Sequence, residues 1–315
     1  MDGIGACTKA LKLLGLGHEV IDYVEIDKHA VDSYNAINGT QFEPQDITKW
    51  DKDIDVDLIM HGSPCQDFSL AGKQEGGDKG SGTRSSLMYE TLRIVNRLRP
   101  KYVIWENVKN LISEKHRHNF EAYCKEMKKM GYTNSFSVLN AKDYGIPQKR
   151  ERVFVVSILG DERFEFPKPV RLKTSIGDYL DKEVDKMYYL TEDKIHSIAH
   201  WKAYQKPFER VLGYKSICPT ITARGAGEEH SGMIIYCPGF EDTKNIHEHC
   251  LNVKETHKKF LLRKITPKES WRLMGFDDKD FEKAATVNTT RELYRQAGNS
   301  IVVDVLYYIL RELFC

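Results

Sequence analysis

Residues 56–69 read VDLIMHGSPCQDFS, and this stretch decides the fold class. Its first five residues form a short, mostly apolar run, which predicts a buried strand, and the Gly-Ser-Pro that follows predicts a loop. A second stretch, YVIWEN at 102–107, repeats this arrangement. Between the two, residues 87–98 carry apolar side chains at helical spacing and are followed by Pro100. Strands alternating with helices of about a dozen residues are typical of βαβ units and a mostly parallel sheet.

The same alternation extends on both sides of this centre. Helices are predicted at 7–16, 28–37 and 120–130, and strands at 20–24 and 153–156. The fold class is therefore α/β, with a doubly wound, Rossmann-like domain. After Pro167 the pattern becomes irregular, with short strand-like pieces such as 233–236, and helices return at 267–274 and 301–313. We expect a first domain over 1–165, a small, irregular, mostly β domain over 166–260, and a return segment over 261–315 that completes the first domain.

Composition excludes several classes of protein. The chain has 315 residues, of which 41% are hydrophobic, and its net charge is +1 from 47 Lys and Arg against 46 Asp and Glu. No apolar stretch approaches the roughly 18 residues of a membrane span, and the start lacks the pattern of a secretory signal. Seven cysteines without a Cys-x-x-Cys pair predict reduced thiols and a cytoplasmic protein rather than a disulfide scaffold. The balanced charge does not by itself indicate nucleic-acid binding.

Two acidic residues and two glycines suggest a nucleoside site. Gly3 and Gly5 open the first helix, and Glu25 ends the next predicted strand about twenty residues later. In doubly wound folds such glycines let a ligand approach the backbone, and the acidic residue accepts hydrogen bonds from ribose hydroxyls. Asp46, further along, could receive an adenine amino group. The alternative is an ordinary turn with solvated carboxylates.

Cys65, Glu106 and Arg152 are candidate catalytic residues. Cys65 follows the strand at 56–60 directly, and Glu106 follows the next one, so both are predicted at the sheet edge where open α/β folds bind ligands. A thiolate formed there is a nucleophile, and a neighbouring carboxyl group could bond a substrate ring nitrogen. The alternatives are a small buried thiol and a residue near a helix N-terminus. Arg152, in the basic run 148–152, lies on a solvated edge or points into the cleft.

In this order, these segments resemble the cytosine-5 DNA methyltransferase family, which uses S-adenosylmethionine. The resemblance covers the chain except for about 163–260. The matching segments are the glycine loop, Glu25, QDI at 45–47, GSPCQDFS at 62–69, RSSL at 84–87, ENV at 106–108, QKRER at 148–152, RKITPKESWRLMGF at 263–276 and QAGNS at 296–300.

The resemblance implies a role for each candidate. Cys65 would add to C6 of a flipped cytosine, Glu106 would bond N3 and the exocyclic amine, and Arg152, with Arg150 nearby, would hold the O2 edge. S-adenosylmethionine would lie over the glycine loop, with its ribose on Glu25 and its adenine amine on Asp46. Further cofactor contacts are expected from Ile4, Ile26, Ile47, Pro64, Leu87, Asn299 and Ser300.

The resemblance also implies partners. Residues 166–260 would be a target-recognition domain on double-stranded DNA, and the loop 72–82, with five glycines, would close over the flipped base. The expected DNA contacts are Gln66, Ser69, Arg84, Thr220, Thr222 and Arg224. We expect a monomer with no membrane association, and a restriction endonuclease acting on the same site is a possible partner. No metal is expected, since the spacing of Cys237, His247, His249 and Cys250 fits no regular zinc motif.

One departure from the family pattern matters. Family members place an apolar strand and a Phe before the first Gly-x-Gly, whereas Met1 stands at the Phe position here. Three explanations are open: a natural chain that begins further upstream, another segment that substitutes, or impaired cofactor binding. Two other functions also remain open, namely methylation of transfer RNA and DNA binding without catalysis.

Overall fold

The structure is a computed structural model that describes residues 3–63, 84–191, 193, 211–223, 235–236 and 262–315. The chain divides into two compact units. The first comprises Met1–Asn140, Glu151–Pro169 and Ile301–Cys315, and the second comprises Ala141–Arg150 and Val170–Ser300. The helices are α1 Ala6–Leu14, α2 Lys28–Asn38, α3 Met88–Leu98, α4 Arg117–Lys129, α5 Pro267–Arg272, α6 Asp278–Ala285, α7 Thr290–Asn299 and α8 Val303–Phe314. The strands are β1 Leu58–Gly62, β2 Tyr102–Val108, β3 Tyr132–Asn140, β4 Gln148–Lys149, β5 Glu151–Leu159, β6 Val211–Leu212, β7 Cys218–Pro219, β8 Ile235–Tyr236 and β9 Arg263–Lys264.

The first unit is built on a four-stranded mixed sheet with the order β1-β2-β5-β3. β1 and β2 are parallel, as predicted, but β5 is antiparallel to both β2 and β3. The prediction of a mostly parallel sheet is therefore corrected for the described strands. The reason is the connection: ten residues without a long helix join β3 to β5, whereas a parallel neighbour needs a crossover of a dozen residues or more.

Two strands differ from the sequence prediction. β3 was not predicted, because its sequence YTNSFSVLN is largely polar and its side chains are mostly half-buried. Conversely, residues 20–24 were predicted as a strand and belong to none of the sheets found among the described residues. β1 therefore forms one edge of the four-stranded sheet.

The core of the first unit lies against β2. Val103, Ile104 and Trp105 are at most 1% exposed, and the rings of Trp105 and Tyr123 lie 4.0 Å apart. The residues of α3 and α4 that join this core include Met88, Val95 and Met127, while α1 packs against α8. Helices α3 and α4 therefore each pack an apolar face against this core, as expected of amphipathic helices.

The second unit contains short strands and the helices α5 to α7. β4 pairs in parallel with β7, and β6, β8 and β9 form a small separate sheet. The buried ion pair between Arg263 and Glu269, 2.7 Å apart, ties β9 to α5, and Thr266 caps α5 with a capping box. The sequence predicted α5 but not α6 or α7. No helix in the described ranges is long and apolar enough to cross a membrane.

Candidate active site

Glu106 and Arg152 form an ion pair at the end of β2. Arg152 Nε lies 3.2 Å from Glu106 Oε1, and the two side chains are 11% and 17% exposed for Glu106 and Arg152, respectively. Both belong to the first unit, where β2 and β5 run antiparallel with Glu106 opposite Phe154 and Val108 opposite Arg152. The antiparallel register therefore brings together two side chains that are 46 positions apart in sequence. The pair can therefore contact one edge of a planar, polar ring, with the Glu106 carboxylate as acceptor and the Arg152 guanidinium as donor.

A hydrogen-bond cluster holds the chain where β1 ends. Trp105 Nε1 donates to Ser63 Oγ at 2.8 Å, and Asn107 Nδ2 donates to Ser63 Oγ and to its carbonyl oxygen at 3.1 and 3.2 Å. All three residues are at most 4% exposed. In the parallel register Gly62 lies opposite Glu106. These contacts therefore fix β1 and Ser63 beside Glu106, directly before Pro64 and Cys65 in the sequence.

We expect Ser63→Ala to destabilise the protein by about 1–3 kcal/mol, because Trp105 Nε1 then loses its acceptor inside the core. Urea unfolding followed by tryptophan fluorescence measures the change. Ser137→Ala on β3, where the serine is partly exposed, is the matched control and should change stability by less than about 0.5 kcal/mol. Equal effects of the two substitutions would contradict the role given to Ser63.

The two glycines of the first turn serve different purposes. Gly5 has φ +87°, and a Cβ on it would come within 2.6 Å of the Tyr34 ring, so packing alone requires glycine there. Gly3 has φ +61°, and a Cβ on it would meet no atom of the described residues within 4 Å. The Tyr23 hydroxyl donates to the carbonyl oxygen of Gly3 and fixes the turn. Gly3 is therefore the glycine with open space beside it for a ligand.

Glu25 and Asp46 each have one carboxylate oxygen that accepts hydrogen bonds from neighbouring residues of the same loop. Glu25 Oε1 accepts from the backbone amides of Ile26 and Asp27 at 3.0 and 3.1 Å. Asp46 Oδ1 accepts from the hydroxyl and the amide of Thr48, and these bonds lower the pKa of Asp46. Both carboxylates are thus oriented by their loops, and each keeps a second oxygen that could accept from a ligand hydroxyl or amine.

The remaining predicted cofactor residues fall into three groups. Ile4 and Ile47 are buried, at 1% and 8% exposure. Ile26 is 67% exposed, so its side chain is available to pack against an apolar face of a ligand. Leu87 immediately precedes α3 and is half-buried. Asn299 and Ser300 belong to the second unit, at the end of α7.

Arg150, predicted beside Arg152, has its own partners in the second unit. It is 4% exposed, and its guanidinium donates to the carbonyl oxygens of Ile221, Gly298 and Ser300 at 2.8, 3.1 and 2.7 Å. Three backbone acceptors around one buried guanidinium favour a structural role over the substrate contact predicted from sequence.

Thr220 and Thr222 are held within the same unit. Thr220 Oγ1 donates to the Lys149 carbonyl at 2.6 Å. Thr222 Oγ1 is buried and has no hydrogen-bond partner among the described residues. Gly298 leaves room for this segment, since a Cβ there would lie 2.1 Å from the backbone nitrogen of Ala223.

Several predicted residues lie outside the described residues. These are Pro64, Cys65, Gln66, Ser69 and Arg224, together with Cys237, His247, His249 and Cys250. Arg84 is described only as the first residue of a short 3-10 helix, Arg84–Leu87. Across the described part of the chain, no group of three or more His, Cys, Asp and Glu side chains could hold a metal ion.

Sequence reasoning gave no role to Ser63, Trp105 or Gln148. Gln148 accepts from the Ile221 amide at 3.0 Å and donates to the Leu273 carbonyl at 2.8 Å, so it joins three segments of the second unit. The only sequence signal was their position next to the candidates Cys65, Glu106 and Arg150. The contacts themselves join residues 42 to 125 positions apart, which no local pattern encodes.

The family model for C-5 cytosine-specific DNA methylases matches residues 1–315. The chain belongs to this family. The type II methyltransferase M2.ScrFI of Lactococcus lactis subsp. cremoris is 36% identical over 261 residues, which are 82% of this chain and 67% of that protein. The type II methyltransferase M.HhaI of Haemophilus parahaemolyticus is 32% identical over 328 residues, covering 98% and 90% of the two chains.

Solved structures agree with the fold of this DNA methylase. The Entamoeba histolytica methyltransferase EhMeth superimposes with a TM-score of 0.77 over 99% of this chain and 95% of its own, at 19% identity. At that identity the likeness concerns the fold alone. The protein is thus a DNA (cytosine-5)-methyltransferase, and enzymes of this family take the methyl group from S-adenosylmethionine.

Proposed function

We propose that the enzyme methylates a cytosine flipped out of duplex DNA, through a covalent bond between Cys65 and C6 of the base. The observation that carries the proposal is the Glu106–Arg152 pair, 3.2 Å apart, beside the end of β1. Ser63 is the last described residue after β1, and Cys65 follows it two positions later in the sequence.

Covalent activation is a chemical requirement of the reaction. C5 of cytosine is too weak a nucleophile to attack a sulfonium methyl group unaided. When the Cys65 thiolate adds to C6, the electron pair of the C5–C6 double bond moves into the ring and makes C5 nucleophilic. After C5 is methylated, water takes up the C5 proton, the electron pair of the C5–H bond forms the C5–C6 double bond, and the C6–S bond breaks to release the thiolate. A base inside the stack cannot be attacked in this way, so the nucleotide must be flipped out.

Glu106 and Arg152 are suited to stabilise this adduct. Negative charge accumulates along N3 and O2 of the ring when the thiolate adds. A proton shared between Glu106 and N3 offsets that charge, and the Arg152 guanidinium supplies donors for O2. Arg152 also fixes Oε1 of Glu106, so the carboxyl group is oriented before the base arrives.

The cofactor residues of the first unit fit an adenosine group. Gly3 leaves open space beside the backbone, and Glu25 and Asp46 each have one oxygen held by their loops. Bound S-adenosylmethionine would supply an electrophilic methyl group. Glu25 would hold the ribose hydroxyls and Asp46 the adenine amine, while the exposed Ile26 side chain would cover the base.

Residues 166–260 are proposed to select the DNA target, with Thr220, Thr222 and Arg224 among the contacts. Support comes from two contacts that hold this segment: Thr220 Oγ1 donates to the Lys149 carbonyl oxygen, and the Ile221 amide donates to Gln148 Oε1. Both curated relatives above are named type II methyltransferases. We propose a monomeric enzyme, with a restriction endonuclease of the same specificity as its partner.

Trapping on fluorinated DNA tests the covalent mechanism. A 5-fluorocytosine keeps fluorine at C5, so methyl transfer is not followed by elimination and the adduct persists. Duplexes that carry 5-fluorocytosine should give a complex that resists denaturant and requires S-adenosylmethionine. Methylation of ordinary DNA without any trapped complex would contradict the adduct, and preferential transfer to transfer RNA in a competition assay would contradict the substrate.

We expect Glu25→Gln to weaken S-adenosylmethionine binding about tenfold, because the ribose hydroxyls lose a charged acceptor. Glutamine still accepts from the amides of Ile26 and Asp27, so the loop should keep its shape. Isothermal titration calorimetry gives the dissociation constant. Glu43→Gln, an exposed carboxylate nearby in sequence, is the control, and an equal loss in both variants would refute the assignment.

A further inference from the structure

The carboxylate of Asp22 joins two segments of the first unit. Its Oδ1 accepts from Gln45 Nε2 at 2.8 Å and from Lys52 Nζ at 2.9 Å, and its Oδ2 accepts from Trp50 Nε1 at 2.6 Å. The Asp22 side chain is only 8% exposed. All three donors belong to the loop 45–52, which is 23 to 30 positions away in the sequence. Both oxygens of one nearly buried carboxylate therefore hold a distant loop.

The two segments that Asp22 joins carry the two acidic residues assigned to the cofactor. Asp22 stands three positions before Glu25, and Gln45 stands directly before Asp46. The backbone amide of Gln45 donates to the Glu25 carbonyl oxygen at 2.8 Å, and Gln45 Nε2 also donates to the Tyr23 carbonyl oxygen at 2.9 Å. The contacts of Asp22 and Gln45 therefore bear directly on the separation between Glu25 and Asp46.

The loop 45–52 is also attached to α3. Arg93 Nη2 donates to the Ile47 carbonyl oxygen at 3.0 Å. Ile47 and Trp50, at 8% and 5% exposure, pack with Ile94 of α3 in one apolar cluster. The loop that carries Asp46 is thus fixed both to α3 and, through Asp22, to the segment that carries Glu25.

The charge of Asp22 is essential to this arrangement. Burial raises the pKa of Asp22, but the hydrogen bonds from Gln45, Trp50 and Lys52 outweigh it, so the pKa lies below its ordinary value. The carboxylate is therefore ionised at neutral pH, and hydrogen bonds to a charged acceptor are the stronger kind. An asparagine has one oxygen and one NH2 group, so one set of donors would lose its acceptor and face another donor.

We propose that Asp22 is a positioning residue of the cofactor site, which sets the separation between Glu25 and Asp46 before the cofactor binds. The inference rests on the proposed roles of these two residues as acceptors for the ribose and the adenine of S-adenosylmethionine. Asp22 acts through the loop 45–52 and not on the ligand itself. Acceptors that are ordered in advance spare the ligand the cost of ordering them, so the two carboxylates depend on Asp22 for their full contribution to affinity.

Hydrogen exchange in the ligand-free, 315-residue protein tests the positioning directly. In Asp22→Asn the Gln45 amide, which donates to the Glu25 carbonyl oxygen, should exchange about tenfold faster or more, because the loop opens locally. The amides of β2 should keep their rates, which shows that the fold persists. Asp53→Asn is the matched control, since Asp53 is an exposed carboxylate one position beyond Lys52, and it should change neither rate.

A double-mutant cycle on S-adenosylmethionine binding, measured by calorimetry, tests the consequence for the ligand. Asp22→Asn and Asp46→Asn should each weaken binding about tenfold, and Asp46→Asn should cost at most about threefold more once Asp22 has been replaced. Gln45→Met is a second variant, which leaves Asp22 in place but removes a donor to it. It should weaken binding about threefold or more.

The proposal is overturned if the losses for Asp22→Asn and Asp46→Asn are additive, if the Gln45 amide exchanges at its usual rate, or if Asp53→Asn behaves like Asp22→Asn. If Asp22→Asn does not fold, Gln45→Met decides, and unchanged affinity in that variant overturns the proposal. Failure of the proposed cofactor site has a different result. Glu25→Gln and Asp46→Asn would then leave binding unchanged while Asp22→Asn still accelerated exchange, and Asp22 would hold the loop without serving the cofactor.

Discussion

Cys65→Ser should lower methyl transfer to duplex DNA by at least about a thousandfold, the scale on which enzymes lose rate with their nucleophile. A serine hydroxyl ionises far less readily than a thiol and is the poorer nucleophile towards C6. Tritium transfer from labelled S-adenosylmethionine measures the rate. Binding of the cofactor should be unaffected, because the loss concerns the chemical step alone.

Cys315→Ser is the matched control for that experiment. Cys315 is an exposed free cysteine at the end of α8, so its replacement should leave the rate unchanged. The covalent mechanism fails if Cys65→Ser keeps full activity, or if it still forms a denaturant-resistant complex with fluorinated DNA.

The second large effect is expected for Glu106→Gln, which should reduce the turnover number about 10²- to 10³-fold. Glutamine has nearly the same shape and can still accept from Arg152, but it cannot share a proton with N3 of the base. The free energy of unfolding should therefore change little while the chemical step slows. Single-turnover methylation separates that step from DNA binding and product release.

Glu151→Gln provides the comparison, since Glu151 stands next to Arg152 and its side chain forms an exposed pair with Lys109 at 3.1 Å. This variant should retain wild-type turnover, because exposed ion pairs contribute little. If Glu106→Gln keeps full turnover, or if both variants are slowed alike, Glu106 does not act on the base.

Local pattern was enough for the elements with a clear apolar period. The helices at 28–37, 87–98 and 301–313 and the strands at 56–60 and 102–105 were predicted within a few residues of where the structure has them. The expectation that Glu106 and Arg152 both contact the target base came from the family resemblance rather than from spacing. The apolar pattern did not extend to β3, because its side chains face a mixed environment.

The sequence by itself determined the family, the α/β class and the order in which the candidate catalytic residues occur, because these depend on local motifs and periodicity. Only the tertiary structure decided the antiparallel direction of β5, the 3.2 Å contact between Glu106 and Arg152, the enclosure of Arg150 by backbone carbonyls and the hydrogen bonds between Asp22 and the loop 45–52. Each of these depends on segments that are distant in the chain and meet only when the sheet and the helices pack, so no local pattern of residues can specify them.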